Sequence, residues 1–127
     1  MSEDYRVLIV EDTEDIAMLV AISMDHLGLS HYHCKNGKLA LEFLETHSPE
    51  LIVLDIGMPG MNGWEVLTVI RENSKWDNIR VIIATAFNDA ANRTVGKLQD
   101  VDAYITKPYG PRELKSLVTE ILKLEAE

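Results

Sequence analysis

The side chains with chemistry to offer are few and far apart along the chain: Glu11-Asp12, Asp55, Thr85 and Lys107. Three carboxylates drawn into one place repel one another, by about 4 kcal/mol for two like charges ~4 Å apart at an effective dielectric near 20. One acid could be protonated, Lys107 could act as counter-charge, or an oxygen-seeking cation could sit among them. Mg²⁺ suits the set best, because it accepts one or two carboxylates, keeps waters and leaves room for a phosphate oxygen. Taken singly, each residue has a plainer reading. Glu11-Asp12 suits a solvated turn with Asp12 or Thr13 capping a helix, and Asp55 an aspartate that orders a loop. Lys107 suits a surface lysine, and Thr85 a strand position favouring β-branching.

The elements that carry these residues decide between the readings. Short apolar runs at residues 5–10, 51–54 and 81–85, with weaker ones at 31–34 and 103–106, have strand length. Their near-continuous apolar character suits strands buried on both faces, as in a parallel sheet between helices. Helical spacing fills the intervals: Ile16, Leu19, Val20, Ser23, Met24 and Leu27, then Leu39, Ala40, Phe43 and Leu44, then Trp64, Leu67 and Ile70. The last helix uses Leu114, Leu117, Val118, Ile121 and Leu122. Gly28 closes the first helix, Asn36 and Asn62 cap the second and third, and Pro111 opens the last. A fourth helix near residues 89–98 is weakened by Asn92, Thr94 and Gly96 and is expected to be short or mobile. Five strand-helix units imply an open, doubly wound parallel sheet, whose ligands gather at the carboxyl ends of the strands. Glu11-Asp12, Asp55, Thr85-Ala86 and Lys107-Pro108 each fall at such an end, in order, and chance rarely arranges that.

Composition narrows the function classes. With 127 residues, 46% of them hydrophobic and 26% charged, the chain suits one soluble domain. Acidic residues outnumber basic ones by 21 to 12, and the net charge of −9 disfavours direct contact with nucleic acid or an anionic membrane. Cys34 is the lone cysteine, which excludes an internal disulfide and suits a reducing, cytoplasmic setting. No apolar stretch approaches spanning length, and the amino end lacks the order of a secretory signal.

The motifs Val7-Leu8-Ile9-Val10-Glu11-Asp12, Leu54-Asp55-Ile56-Gly57-Met58-Pro59-Gly60-Met61-Asn62-Gly63, Ala84-Thr85-Ala86 and Ala103-Tyr104-Ile105-Thr106-Lys107-Pro108 together resemble the receiver domain of two-component response regulators. The resemblance covers nearly the whole chain, and in length the chain is similar to the stand-alone chemotaxis-type receivers. It implies a flavodoxin-like (βα)5 three-layer sandwich with strand order 2-1-3-4-5, formed by residues 1–127 as a single receiver domain without an output domain. It implies that Asp55 takes a phosphoryl group from a histidine kinase, or from a small donor such as acetyl phosphate. Asp12 and Asp55 would then hold Mg²⁺ directly, Glu11 through water and Gly57 through its backbone carbonyl. Lys107, the Thr85 hydroxyl and the Ala86 backbone N–H would contact the phosphoryl oxygens. Thr85 and Tyr104 would form a switch that reshapes the surface of the fourth helix, fifth strand and fifth helix.

The partners so implied are a sensor histidine kinase or phosphotransfer protein and a downstream effector protein, or the next member of a phosphorelay, with the receiver as monomer or phosphorylation-dependent dimer. The chain departs from common members at Gly57, a position that usually bears a side chain partly covering the phosphate, while Phe87 stands across the site. A switch with stoichiometric chemistry is expected rather than an enzyme. A haloacid-dehalogenase-type phosphohydrolase would need a second acid where Gly57 stands. A nucleotide or flavin binder would need a glycine-rich phosphate loop that is missing. A degenerate receiver is disfavoured because every required side chain is present. His31 and His33 share a strand face but have no evident third metal ligand. Trp64 suits partial packing, Trp76 an exposed partner anchor, and Cys34 a small core residue.

Overall fold

The computed structural model describes residues 4–58, 60–86 and 101–124. The apolar runs form five strands: β1 (Val7–Val10), β2 (His31–Cys34), β3 (Leu51–Asp55), β4 (Arg80–Ala86) and β5 (Ala103–Lys107). They pair in parallel throughout, in the order β2-β1-β3-β4-β5. The described helices are α1 (Glu14–His26), α2 (Gly37–Leu44), α3 (Gly63–Arg71) and α4 (Pro111–Leu122), with a 3₁₀ turn at Ser74–Trp76. The helix expected near residues 89–98, and Phe87, lie outside the described residues.

Alternation within each strand divides the core in two. Leu8, Val10, Ile52, Leu54, Val81 and Ile83 pack with Ala40, Phe43, Leu44, Val66, Leu67 and Ile70 of α2 and α3. Val7, Ile9, Leu51, Val53, Ile82, Ala84 and Ile105 turn the other way, onto Ala17, Val20 and Met24 of α1 and Leu114 and Val118 of α4. Each fully buried leucine or isoleucine contributes about 1.5–3 kcal/mol, which is why the central strands tolerate almost no polar residue before their ends. The same alternation places the site. Glu11 continues the series Val7, Ile9; Asp55 continues Leu51, Val53; Lys107 continues Ala103, Ile105. All three therefore belong to the α1/α4 side, whereas Thr85 continues Val81, Ile83 on the α2/α3 side.

The helix ends follow the expected chemistry. The Asn36 side chain accepts from Leu39 N at 2.8 Å and that of Asn62 from Glu65 N at 3.0 Å. Gly28 ends α1 in the left-handed region at φ +71°, and Pro111 occupies the first turn of α4. Thr13 is the α1 N-cap by position but makes no side-chain cap bond; its backbone N–H instead donates to Glu11 Oε2 at 3.2 Å.

Two expectations are corrected. Trp76 is no exposed anchor: the 3₁₀ turn folds its ring into the α2/α3-side core, where it is 4% exposed, with Lys75 Nζ 4.8 Å above it. Leu39 faces outward, because Gly37, Ala40, Phe43 and Leu44 define a stripe about a quarter turn away from it.

The loop after Asp55 depends on one glycine. A Cβ at Gly63 would come within 2.6 Å of both Asp55 O and Ile56 Cα, backbone atoms that have no side-chain freedom to yield. Gly63→Ala is therefore expected to lower stability by about 1–3 kcal/mol, the usual cost of overpacking. The check is the urea unfolding midpoint; a midpoint equal to wild type would show that the loop re-forms without strain.

Candidate functional site

Four of the residues singled out in the sequence meet at one end of the sheet. Asp55 is the last residue of β3 and is 4% exposed, and Glu11, just past β1, is 2% exposed. Lys107, the last residue of β5, reaches across from the edge. Its Nζ lies 3.0 Å from Asp55 Oδ1 and 3.1 Å from Glu11 Oε1, so one ammonium bridges two nearly buried carboxylates. Asp12 completes the acidic group from an exposed position. Ligand oxygens of Glu11, Asp12 and Asp55 lie within 4.8 Å of one another. An all-oxygen, multiply charged donor set of that size fits a hard divalent cation such as Mg²⁺.

Backbone geometry aims the acceptor. The Gly57 N–H donates to Asp55 Oδ1 at 3.0 Å, so the loop and Lys107 act on the same oxygen. A Cβ at Gly57 would sit 3.6 Å from that oxygen, an ordinary contact, so space alone does not demand glycine there. Thr85 is buried on β4, one residue beyond Ala84, the register partner of Asp55. Ala86 closes β4 opposite Lys107, and Tyr104 packs half-buried against the α2/α3-side core. Tyr104 pairs with Ile83 and Thr106 with Thr85, so the Thr85 and Tyr104 side chains stand diagonally on one face.

Charge at this end is unbalanced. Burial, and then the neighbouring Asp55 charge, push the Glu11 carboxyl up from 4.5 to about 7, against the opposing pull of Lys107 and the Thr13 N–H. Burial works to lower the Lys107 ammonium, but its hydrogen bond to Asp55 and the charges of Asp55 and Glu11 outweigh it and hold the pKa above its usual value. Of the alternatives open in the sequence, the counter-ammonium is in place, and burial favours the neutral form of Glu11.

Other candidates resolve as separate structures. His31 Nε2 lies 2.8 Å from Asp25 Oδ1, whereas the His33 ring N–H donates to the Glu11 carbonyl at 2.7 Å, so each imidazole has its own partner. Cys34 is buried and its thiol is pushed up to about 11 by burial and Glu42, as suits a core residue. One residue was missed. Tyr109, two past Lys107, buries its hydroxyl on the α1/α4 side of the sheet, where the charges of Glu11 and Asp55 act on it. An aromatic directly after Lys-Pro was the available signal.

Comparison with known proteins agrees with this geometry. Residues 7–119 match the response regulator receiver domain family. An uncharacterized transcriptional regulatory protein, YrkP of Bacillus subtilis, is 39% identical over 94% of this chain and 50% of its own length. The signal receiver domain of a histidine kinase from Syntrophus aciditrophicus superposes with a TM-score of 0.86 at 29% identity, covering 97% of this chain and 95% of that one. The Vibrio cholerae chemotaxis protein CheY4 has the same fold, with a TM-score of 0.86 at 22% identity over 94% of this chain and 99% of that one. The chain spans about half the length of the curated relatives it matches.

An acid whose pKa is higher in the folded chain than its ordinary 4.5 binds more protons folded than unfolded between pH 4.5 and about 7. Its stabilising contribution is present below the lower value and lost as pH rises through the upper one. In chelator-treated protein the unfolding midpoint should therefore fall from pH 5 to pH 8, and Glu11→Gln should flatten that fall. Equal slopes in the two proteins would show that Glu11 is not the group responsible.

Proposed function

Because the chain belongs to the response regulator receiver family, we propose that Asp55 accepts a phosphoryl group and thereby switches a protein-binding surface. The donor is a histidine kinase, a phosphotransfer protein, or a small molecule such as acetyl phosphate. The observation that carries this reading is the Lys107 ammonium held 3.0 Å from Asp55 and 3.1 Å from Glu11 at the carboxyl ends of three parallel strands. Such an arrangement keeps one carboxylate oriented and nearly dry.

The two donors to Asp55 among the described residues both act on Oδ1, which favours Oδ2 as the oxygen for the new O–P bond. As that bond forms, the donor's bond to phosphorus breaks and its electron pair leaves with the departing group. Negative charge in such transfers resides on three equatorial oxygens, so catalysis is mostly positioning and counter-charge. Lys107 turns to one of these oxygens, and the Thr85 hydroxyl with the Ala86 N–H serves another. Asp12 and Asp55, Glu11 through water and the Gly57 carbonyl would hold Mg²⁺, which would supply the remaining charge stabilisation when bound.

The product adds roughly −1.5 to −2 charges where one carboxylate stood. Thr85 is drawn toward it, and Tyr104, its diagonal neighbour on the same face, moves into the space released. This couples the acceptor to the outer surface of β5 and α4, where an effector or the next phosphorelay member binds. A 1:99 to 99:1 reversal needs about 5.5 kcal/mol of preference for the active arrangement, and a graded response needs less. Residues 1–127 act here as one receiver unit. The acidic excess argues against nucleic-acid contact by this unit itself and implies nothing for the longer relatives, which are named as transcriptional regulators.

Incubation with Mg²⁺ and acetyl phosphate should add the mass of one phosphoryl group to the wild-type chain and none to Asp55→Asn. An unlabelled wild type would remove the phosphoryl reading, and a labelled Asp55→Asn would relocate it. In the wild-type adduct Thr85 and Tyr104 should both be displaced; an adduct with both unmoved would leave the acceptor chemistry and eliminate the switch.

A further inference from the structure

Tyr109 carries an unusual burden for a residue outside the expected site. Its ring packs half-buried against the core of Val7, Ile9 and Leu114 on the α1/α4 side, the side to which Glu11, Asp55 and Lys107 belong. Its hydroxyl oxygen is fully buried and, among the described residues, is the buried side-chain polar atom left without a hydrogen-bond partner. A phenylalanine would fill the same ring volume without that cost, so an orphaned hydroxyl calls for a circumstance in which it is used. Burial, then the charges of Glu11 and Asp55, raise its pKa, so the oxygen keeps its proton and remains a donor.

Glu11 has the complementary difficulty. At 2% exposure it is shut off from bulk water, and its resting donors are the Thr13 N–H on Oε2 and the Lys107 ammonium, 3.1 Å from Oε1. Once Lys107 turns to a phosphoryl oxygen, Oε1 loses that ammonium.

We propose that Tyr109 is a positioning residue for Glu11, whose hydroxyl donates to the Glu11 carboxylate when Lys107 leaves it for the phosphoryl group. This rests on the phosphoryl-accepting reading of Asp55. In the resting chain the unsatisfied atom is the tyrosine oxygen; in the loaded chain that deficit is removed, and the exchange of donors favours loading. The hydroxyl thus costs stability at rest and returns it in the adduct.

That opposition of sign is the test, with beryllofluoride and Mg²⁺ as the probe. Tyr109→Phe should unfold at the same or a higher temperature than wild type without ligands, yet bind beryllofluoride about tenfold more weakly at saturating Mg²⁺, as loss of a hydrogen bond to a charged group implies. Equal beryllofluoride affinity, or a lower unfolding temperature at rest, would overturn the role of Tyr109 while leaving Asp55 as acceptor. A wild-type chain that forms no adduct would overturn the acceptor reading and this proposal with it. A measurement on the wild-type chain needs no variant: the Tyr109 ring Cζ resonance, which reports hydrogen bonding of the hydroxyl, should move on adduct formation. An unmoved resonance would also overturn the proposal.

Discussion

One ammonium between two nearly buried carboxylates is the interaction on which the rest of this molecule turns. Lys107 can stand within 3.1 Å of both Glu11 and Asp55 because Glu11 follows β1 at the level of Asp55, Lys107 ends β5 two residues beyond that level, and all three share one phase of alternation. Shifting any of the three strands by one residue would send its charged end to the opposite face. The apolar register and the charged site are therefore one constraint. Buried Leu, Ile and Val residues align the strands, and the charged residue at the end of each of these three is delivered to a common point.

The site is held in tension at rest. Three acids stand against one lysine, and burial, with the Asp55 charge behind it, pushes the Glu11 carboxyl up to about 7. A buried charge cluster of this kind contributes little to folding, since desolvation consumes most of the attraction it gains. Its value is the readiness to exchange partners: a cation for the surplus charge, a phosphoryl oxygen for the ammonium, and on our proposal a tyrosine hydroxyl for the lysine that departs. Gly57 leaves the flank of Asp55 uncovered, so the loop aims the acceptor without shielding it.

Much of this was legible before any coordinates, for physical reasons that differ by element. Strands β1, β3 and β4 announce themselves by unbroken apolar runs, and the caps at Asn36 and Asn62 by side chains that complete orphaned backbone donors. The meeting of Glu11, Asp12, Asp55 and Lys107 followed from parallel topology. Trp76 and Leu39 were misread because local spacing does not reveal where a short 3₁₀ turn folds back, or which edge of an apolar stripe faces the sheet. The partnering of His33 with the Glu11 carbonyl and the stranded hydroxyl of Tyr109 depend on cross-strand distances that no spacing rule encodes.

The account makes Lys107 a competitor of the cation at rest and a partner of the phosphoryl group when loaded, which two affinities of a single variant can separate. Lys107→Met should bind Mg²⁺ severalfold more tightly than wild type, since a nearby positive charge is gone, and hold beryllofluoride at saturating Mg²⁺ at least about tenfold more weakly, since a charge-assisted contact is lost. Titrations in which the two affinities move in opposite directions would support the account. Affinities that shift in the same direction would contradict it.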